Sequence, residues 1–382
     1  MATNEWFQGG TLYGNRVPPE KFREGLAAEI QRQADTKEDF VLPSTRIHMG
    51  INHDAVDGET APYPYLSLLT DLDNGSRMFR IRPWAHRQIS EKTKIPWKYY
   101  ERMLVDKPYL LATNVNEWWM TQPKRMIRTL DGEVRAVVSS RFKALDNVDL
   151  FYNAAREMEA ANAQITRADL SETRFYLRAI VPDVRRAIDA GDEICGGVMF
   201  SNSEVGAGAL RISSFVTRLA CKNGMIGNTV WDRVHLGSQM RVGRYVSRET
   251  VDAQARAIWL EARDYIRYAF DARSLDDFVD KFKHAKQVDI EESRVDLAQG
   301  SWQNMKVSES EKSSILDNLL RGTDGYTQFG MVNGITATAR DTLDADRRAE
   351  LERMAFEVLC ENNQQFGRRM EQAVVQAKTG GR

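Results

Sequence analysis

Between Arg77 and Met103 the chain reads RMFRIRPWAHRQISEKTKIPWKYYERM, in which Arg77, Arg80, Arg82, Arg87, Lys92, Lys94 and Lys98 are interleaved with Phe79, Trp84, Trp97, Tyr99 and Tyr100. Cations set among flat rings suit single-stranded nucleic acid. Ammonium and guanidinium groups neutralise phosphates while aromatic faces stack bases, worth roughly 1 to 3 kcal/mol per base. The competing reading is that Trp84, Trp97 and Tyr100 are helix-face residues packed inward, as large aromatic side chains usually are.

Further cations follow on the arms of a hairpin. In KRMIRTLDGEVRAVVSS, Asp131 and Gly132 separate two β-prone runs that carry Arg128 and Arg135, and Arg141 and Lys143 come next. A second basic segment holds Arg211 and Arg218. The net charge of −1 conceals this segregation: residues 77–143 contain 15 Lys/Arg against 6 Asp/Glu, and residues 201–248 contain 7 against 2, whereas residues 1–76 contain 6 against 12. Two basic segments can form one positive surface if the fold brings them together; otherwise they are solvated faces offset by acidic neighbours.

The stretch Ser201–Ile212, SNSEVGAGALRI, raises the question of a ligand loop. Its glycines lack the third member and the following helix of a dinucleotide fingerprint, so a turn between two strands is expected. Glu204 is expected to cap or be solvated rather than hold a cation. The histidines and cysteines, including His48, His53, His235, Cys195 and Cys221, show no spacing that assembles three or four metal ligands. Phosphate-loop, zinc-protease and nucleophile-elbow patterns are absent, and DLDNGS fails as a calcium loop at Gly75 and Arg82. No cofactor, metal or covalent chemistry is expected, and the chain reads as a non-enzyme.

The elements that must position these residues are legible in outline. Pro18 and Pro19 open a helix with Phe22, Leu26, Ala27 and Ile30 at helical spacing. A strand is expected at Arg77–Ile81, then helices around Trp84–Thr93, Pro96–Val105 and Tyr109–Met120. The Asp-Gly hairpin follows, then a helix capped by Asp146 or Asn147 that carries Phe151, Ala154, Ala155 and Met158. Strand pairs are expected over 163–181 and 193–220. After Ser247 the pattern is helical, with Val251, Ala255, Ile258, Ala262, Ile266 and Ala269 on one face. Helices are expected near 274–284, 308–320, 343–360 and 363–377, with Ser274 and Thr342 as N-caps. The fold class is therefore α+β: a central antiparallel sheet built from hairpins with a packed helix, followed by a helical C-terminal region. Residues 1–76 form an acidic lead-in packed on the core, 77–246 a basic α+β core domain, and 247–382 the helical region. An apolar content of 42% is enough for cores that need no staples.

Read in order, the hairpin, SSRFKALDN, SNSEVGAGALRISSFVTRLACKNGM and TQFGMVNGITATARD resemble the phage/plasmid-like family known as domain of unknown function 932 over roughly Lys124–Leu359. Ser201, Asn202, Arg211, Arg218, Cys221 and Asn223 fall on that family's Asn-Ser, arginine-strand and Arg-x-x-Cys-x-Asn motif, and Asn333 on its later helix-start motif. The chain departs from the pattern at Val205–Gly208 and lacks the family's Trp-His opening. The resemblance implies mobile-element biology and no reaction. The strand, strand, helix core is also similar to single-strand annealing proteins of the Rad-fifty-two type, a likeness of fold alone.

From these residues we expect sequence-independent binding of single-stranded DNA, with strand annealing in recombination. Arg80, Arg82, Arg87, Lys92, Lys94, Arg128, Arg135, Arg141, Lys143, Arg211 and Arg218 would neutralise phosphates, and Trp84, Trp97 and Tyr99 would stack bases. The alternatives are an anti-defence or structural protein of a mobile element acting on a host or phage protein, and a metal-dependent nuclease centred on Glu204 and Asp232. A homo-oligomer in the bacterial cytoplasm is expected. Three cysteines give no disulfide framework, and no apolar run is long enough to span a membrane.

Overall fold

The computed structural model describes residues 9–52, 62–70, 75–121, 123–233, 248–269, 271–290, 307–362 and 364–366. His53, His235, Ser247 and most of the helix expected at 363–377 lie outside the described residues. The class is α+β, and the expected central sheet is two sheets.

The strands are β1 (Gly10–Leu12), β2 (Asn15–Val17), β3 (Lys37–Leu42), β4 (Ile47–Asn52), β5 (Tyr63–Leu69), β6 (Ser76–Ile81), β7 (Arg125–Leu130), β8 (Glu133–Ser139), β9 (Gln164–Leu170), β10 (Phe175–Asp189), β11 (Asp192–Asn202), β12 (Leu210–Arg218) and β13 (Asn223–Arg233). The helices are α1 (Pro19–Thr36), α2 (Pro83–Thr93), α3 (Trp97–Asp106), α4 (Pro108–Met120), α5 (Asn147–Ala160), α6 (Arg248–Ala269), α7 (Asp276–Lys286), α8 (Glu309–Arg321), α9 (Gln328–Asp341) and α10 (Ala345–Leu359).

The larger sheet runs β13-β12-β11-β10-β9-β1-β2, and the smaller β3-β7-β8-β6-β5-β4. Neighbours pair antiparallel except β1 with β9 and β6 with β8. The acidic lead-in supplies strands to both sheets. At the β7–β8 turn Asp131 and Gly132 have φ of 55° and 74°, the positive angles a two-residue hairpin loop requires. Pro182, which has no amide hydrogen, falls where the β10–β11 register shifts between Ile180 and Arg185, so no ladder hydrogen bond is lost there.

Alternation along β10 sorts the larger sheet into two faces. Leu177 and Ala179, with Val198, Phe200 and Ile212, pack under Phe22, Leu26 and Ile30 of α1, Leu150 and Ala154 of α5, and Ile258 and Ile266 of α6. The opposite face carries Tyr176, Ile180, Met199 and Phe215 against Ala345 and Ala349 of α10. Lower down, Ile194, Val216 and Met225 meet α7 to α10. The smaller sheet packs Leu66, Leu68, Phe79 and Ile127 on Ile89, Tyr100, Leu111 and Val115 of α2 to α4.

Helix α9 was not among the elements expected from spacing: Gly330, Gly334 and four β-branched residues give QFGMVNGITATARD weak helix propensity. It is buried along nearly its whole surface, so packing overrides propensity. Thr327 caps it, accepting from the Gly330 amide at 3.0 Å. Thr342 ends α9 instead of starting α10, whose N-cap is Asp344, accepting from Arg347 N at 2.9 Å.

One charged cluster fastens the second face. Asp169, fully buried, accepts from Thr11 N at 3.0 Å, Arg178 Nη1 at 3.0 Å and Arg348 Nη1 at 2.6 Å, with Arg167 Nε at 3.2 Å. Glu352 accepts from Arg178 Nη2 at 2.7 Å. Burial alone would raise the Asp169 pKa, but the three arginines outweigh it and hold it down at about 2. Burial, partly offset by Asp169, lowers Arg167 to about 10. Breaking a buried ionic network by removing one member costs about 3–5 kcal/mol. Asp169→Ala should lower the unfolding free energy by that much in a denaturant titration; a loss under about 1 kcal/mol would show the guanidiniums are compensated elsewhere.

Candidate nucleic-acid interface

The β11–β12 loop answers the question raised by SNSEVGAGALRI: it is a turn, and it rivets the two sheets together. Gly206 sits at φ 76°, where glycine alone is unstrained, and Ser203 Oγ accepts from the Ala207 amide at 2.8 Å. Asn202 Nδ2 donates to Leu145 O at 2.8 Å and to Asn147 Oδ1 at 2.9 Å. The Val205 carbonyl accepts from Trp84 Nε1 at 3.1 Å and Gln88 Nε2 at 2.7 Å, both on α2. Gln88 Oε1 in turn accepts from the Val137 amide at 2.8 Å, closing the edge that β6 leaves open on β8. Val205 packs with Ala136, Val138 and Phe142.

Glu204 and the hairpin arginines complete the joint. Arg128 is wholly buried: Nη1 donates to the Glu204 carbonyl at 2.7 Å, Nε to Asp39 at 2.8 Å and Nη2 to Asp146 at 2.8 Å, with Phe142 beneath at 5.7 Å. Asp146 stands at the α5 N-cap position, but its carboxylate serves Arg128 and Lys37 rather than the helix. Glu204 Oε1 accepts from Asn147 N at 2.5 Å, and Oε2 lies 2.6 Å from Arg135 Nη2, an ion pair out of line with a hydrogen bond. Glu204 is thus a buried structural carboxylate. Asp232 is exposed on β13. Among the described residues no three His, Cys, Asp or Glu side chains are grouped to hold a metal ion.

Several expected contacts are corrected. Arg128 and Arg135 face the interior, where desolvation would be prohibitive without Asp39, Asp146 and Glu204, so they cannot also reach phosphate. Arg218 fills both edges of its guanidinium, Nε with Asp192 at 2.7 Å and Nη1 with Asp324 at 2.7 Å, above the Phe329 ring at 5.0 Å. Arg82 is held by Glu133 at 2.8 Å and Asp131 at 3.3 Å. Trp84 spends its indole hydrogen on Val205, and Trp97 lies between the Arg87 guanidinium at 4.6 Å and Tyr100, stacked at 5.7 Å. Both indoles are half-buried, and Trp97 already packs against Arg87 and Tyr100.

The remainder lies at the surface. Arg80, Arg87, Lys94 and Arg141 are exposed, with Arg80 above Tyr63 at 5.4 Å, and Tyr99 is 51% exposed; Lys92, Lys143 and Arg211 are half-buried. Four of these cations lie on segments that the loop ties together: Arg87 on α2, Arg141 and Lys143 on either side of Phe142, and Arg211 on β12. Lys143 is near enough to Arg233 that burial first, and that charge second, lower its pKa. Sequence reasoning missed Arg174, whose Nη2 donates to the Ala207 carbonyl at 2.6 Å, and Arg353 of α10. The SETR turn before β10 was a local signal for the first; none existed for the second.

Comparison with known proteins finds no matching family model, no similar curated protein and no similar solved structure.

Two outcomes test the joint. A Cβ at Gly206 would stand 3.1 Å from Val138 Cγ1 on a positive-φ backbone, so Gly206→Ala should cost about 1–3 kcal/mol in a denaturant melt. Gly208→Ala, with Arg174 Cζ at 3.4 Å and no positive φ, should stay within about 0.5 kcal/mol. Beneath the α2–α3 corner, His86 Nδ1 meets Tyr100 Oη at 2.8 Å and burial pulls its pKa down to about 4. The unfolded chain, with an ordinary histidine, takes up the proton first, so stability is complete above pH 6.5 and falls as pH drops toward 4. Denaturant melts at pH 7 and 4.5 should differ by about 2–3 kcal/mol more in the wild type than in His86→Gln.

Proposed function

We propose that this chain binds single-stranded DNA without sequence preference across the surface around the β11–β12 loop, and that it belongs to a phage or plasmid whose recombination anneals such strands. The observation that supports this most is the Val205 carbonyl bonded to Trp84 and Gln88: it ties α2, the helix that carries Arg87, to the loop that leads into β12 and Arg211. Tyr99, 51% exposed two residues from Trp97, is the stacking side chain. Phosphate neutralisation and stacking need no covalent step.

A second reading, docking on a host or phage protein or on another copy of this chain, is favoured by the apolar side chains on α3 and α4. Val105 is 78% exposed, Trp118 58% and Met120 64%, more large apolar surface than a helical hairpin usually shows to water.

The number of phosphate contacts sets the test. Each contact on a single strand contributes about −0.7 to the slope of log K against log salt, so the full set of eleven cations would give about −8 and the four around the loop about −3. Fluorescence anisotropy with a labelled oligonucleotide should return the shallower slope, reduced by about 1.4 in Arg87→Ala/Arg141→Ala. Absence of binding at low salt would sink the nucleic-acid reading, and a nuclease-resistant stoichiometric protein partner would favour the second.

A further inference from the structure

The face of the larger sheet under α10 holds more positive charge than its carboxylates match. Tyr176, Ser201, Arg211 and Asp232 stand opposite one another on β10, β11, β12 and β13, so they form one row on that face. Arg174 lies at one end of the row, with Nη1 3.3 Å from Tyr176 Oη and Nε 3.5 Å from Asp346 of α10. The nearby carboxylates are already engaged: Asp346 by Tyr176 Oη at 2.5 Å as well as by Arg174, Glu350 by Arg347 at 2.7 Å, and Glu352 by Arg178 at 2.7 Å. Among the described residues no ion pair joins Arg211 to the exposed Asp232 opposite it, and none involves Arg353. Both arginines are half-buried. Burial lowers the Arg353 pKa, Tyr176 and the already paired Glu352 oppose that shift, and the Arg211 and Arg174 charges add to it, so the three guanidiniums share one neighbourhood.

A guanidinium withdrawn from water without a counter-charge is costly, and such groups are paired with carboxylates or with bound anions. Here Asp346, Glu350 and Glu352 are spent, and Asp232, though opposite Arg211, makes no ion pair with it. The charges of Arg211 and Arg353, neither in an ion pair among the described residues, stand beside Arg174 and match a group carrying about −1.5 to −2, which is the charge of a phosphate monoester near neutral pH. Planar guanidinium edges also fit phosphate oxygens in pairs.

We propose that Arg174, Arg211 and Arg353 form a binding site for a phosphate monoester, occupied by the terminal phosphate of a nucleic-acid strand. The site stands on its own geometry, whereas the nucleic-acid source of the phosphate rests on the function proposed above. The Ala207 carbonyl that receives Arg174 connects the site to the β11–β12 loop, so a strand crossing that loop would end here.

The test uses the full chain. Inorganic phosphate should raise its melting temperature, and by calorimetry Arg211→Gln and Arg353→Gln should each weaken phosphate binding roughly tenfold. A 5′- or 3′-phosphorylated oligonucleotide should bind roughly tenfold tighter than its unphosphorylated form, a preference lost in Arg211→Gln. If Arg353→Gln does not fold, as circular dichroism would report, Arg211→Gln and Arg353→Lys carry the comparison. The absence of both phosphate binding and a preference for phosphorylated ends would overturn the site, even with salt-dependent oligonucleotide binding intact. Phosphate binding lost in Arg211→Gln, with no oligonucleotide binding at any salt, would uphold the site and overturn the nucleic-acid source.

Discussion

Arg128 has no exposure to solvent, and its guanidinium is satisfied only where three other segments meet. Asp39 arrives on β3, Asp146 just before α5, the Glu204 carbonyl from the β11–β12 loop and Phe142 from the chain after β8. An unpaired guanidinium in that position would cost several kcal/mol, so the two sheets cannot separate without stranding it. Nearly everything else at the seam follows from this one charge. Glu204 is fixed by Asn147 and Arg135, and Gly206 after it is needed because the loop must turn sharply against Val138.

The same rule divides the basic residues of the chain into two populations. Arg82, Arg128, Arg135 and Arg218 have carboxylates built for them by the fold, and Arg167, Arg178 and Arg348 share Asp169 and Glu352. What is left over is smaller than the charge map suggests, and part of it lies in one half-buried row. An excess of charge at the surface draws a polyanion by long-range attraction, whereas an excess that is half-buried selects a compact one.

Local order was legible in the sequence because its causes are local. The α2, α3 and α4 helices follow from helical spacing punctuated by Pro83, Pro96 and Pro108, and the β7–β8 hairpin from Asp131-Gly132. The partners of the cations were not legible, because the pairs that consume them span 76 residues from Arg128 to Glu204, 106 from Arg218 to Asp324 and 179 from Arg348 to Asp169. No pattern in a window of helical or strand length encodes such a pairing. The division into two sheets was hidden likewise, since its signature is the parallel pairing of β1 with β9 and β6 with β8.

The β1–β9 pairing bears on how the chain is made. Gly10, Thr11 and Leu12 line up with Ala168, Asp169 and Leu170, so the β1–β2 hairpin cannot join the rest of the larger sheet until more than a hundred further residues have been translated. Arg348 then joins the same carboxylate from close to the other end. Closing loops of that length delays ordering of the larger sheet, while the hairpins and α2 to α4 can settle first. A nascent chain arrested before α10 would carry a buried arginine-aspartate cluster lacking one of its three cations, leaving late translation to complete the interior.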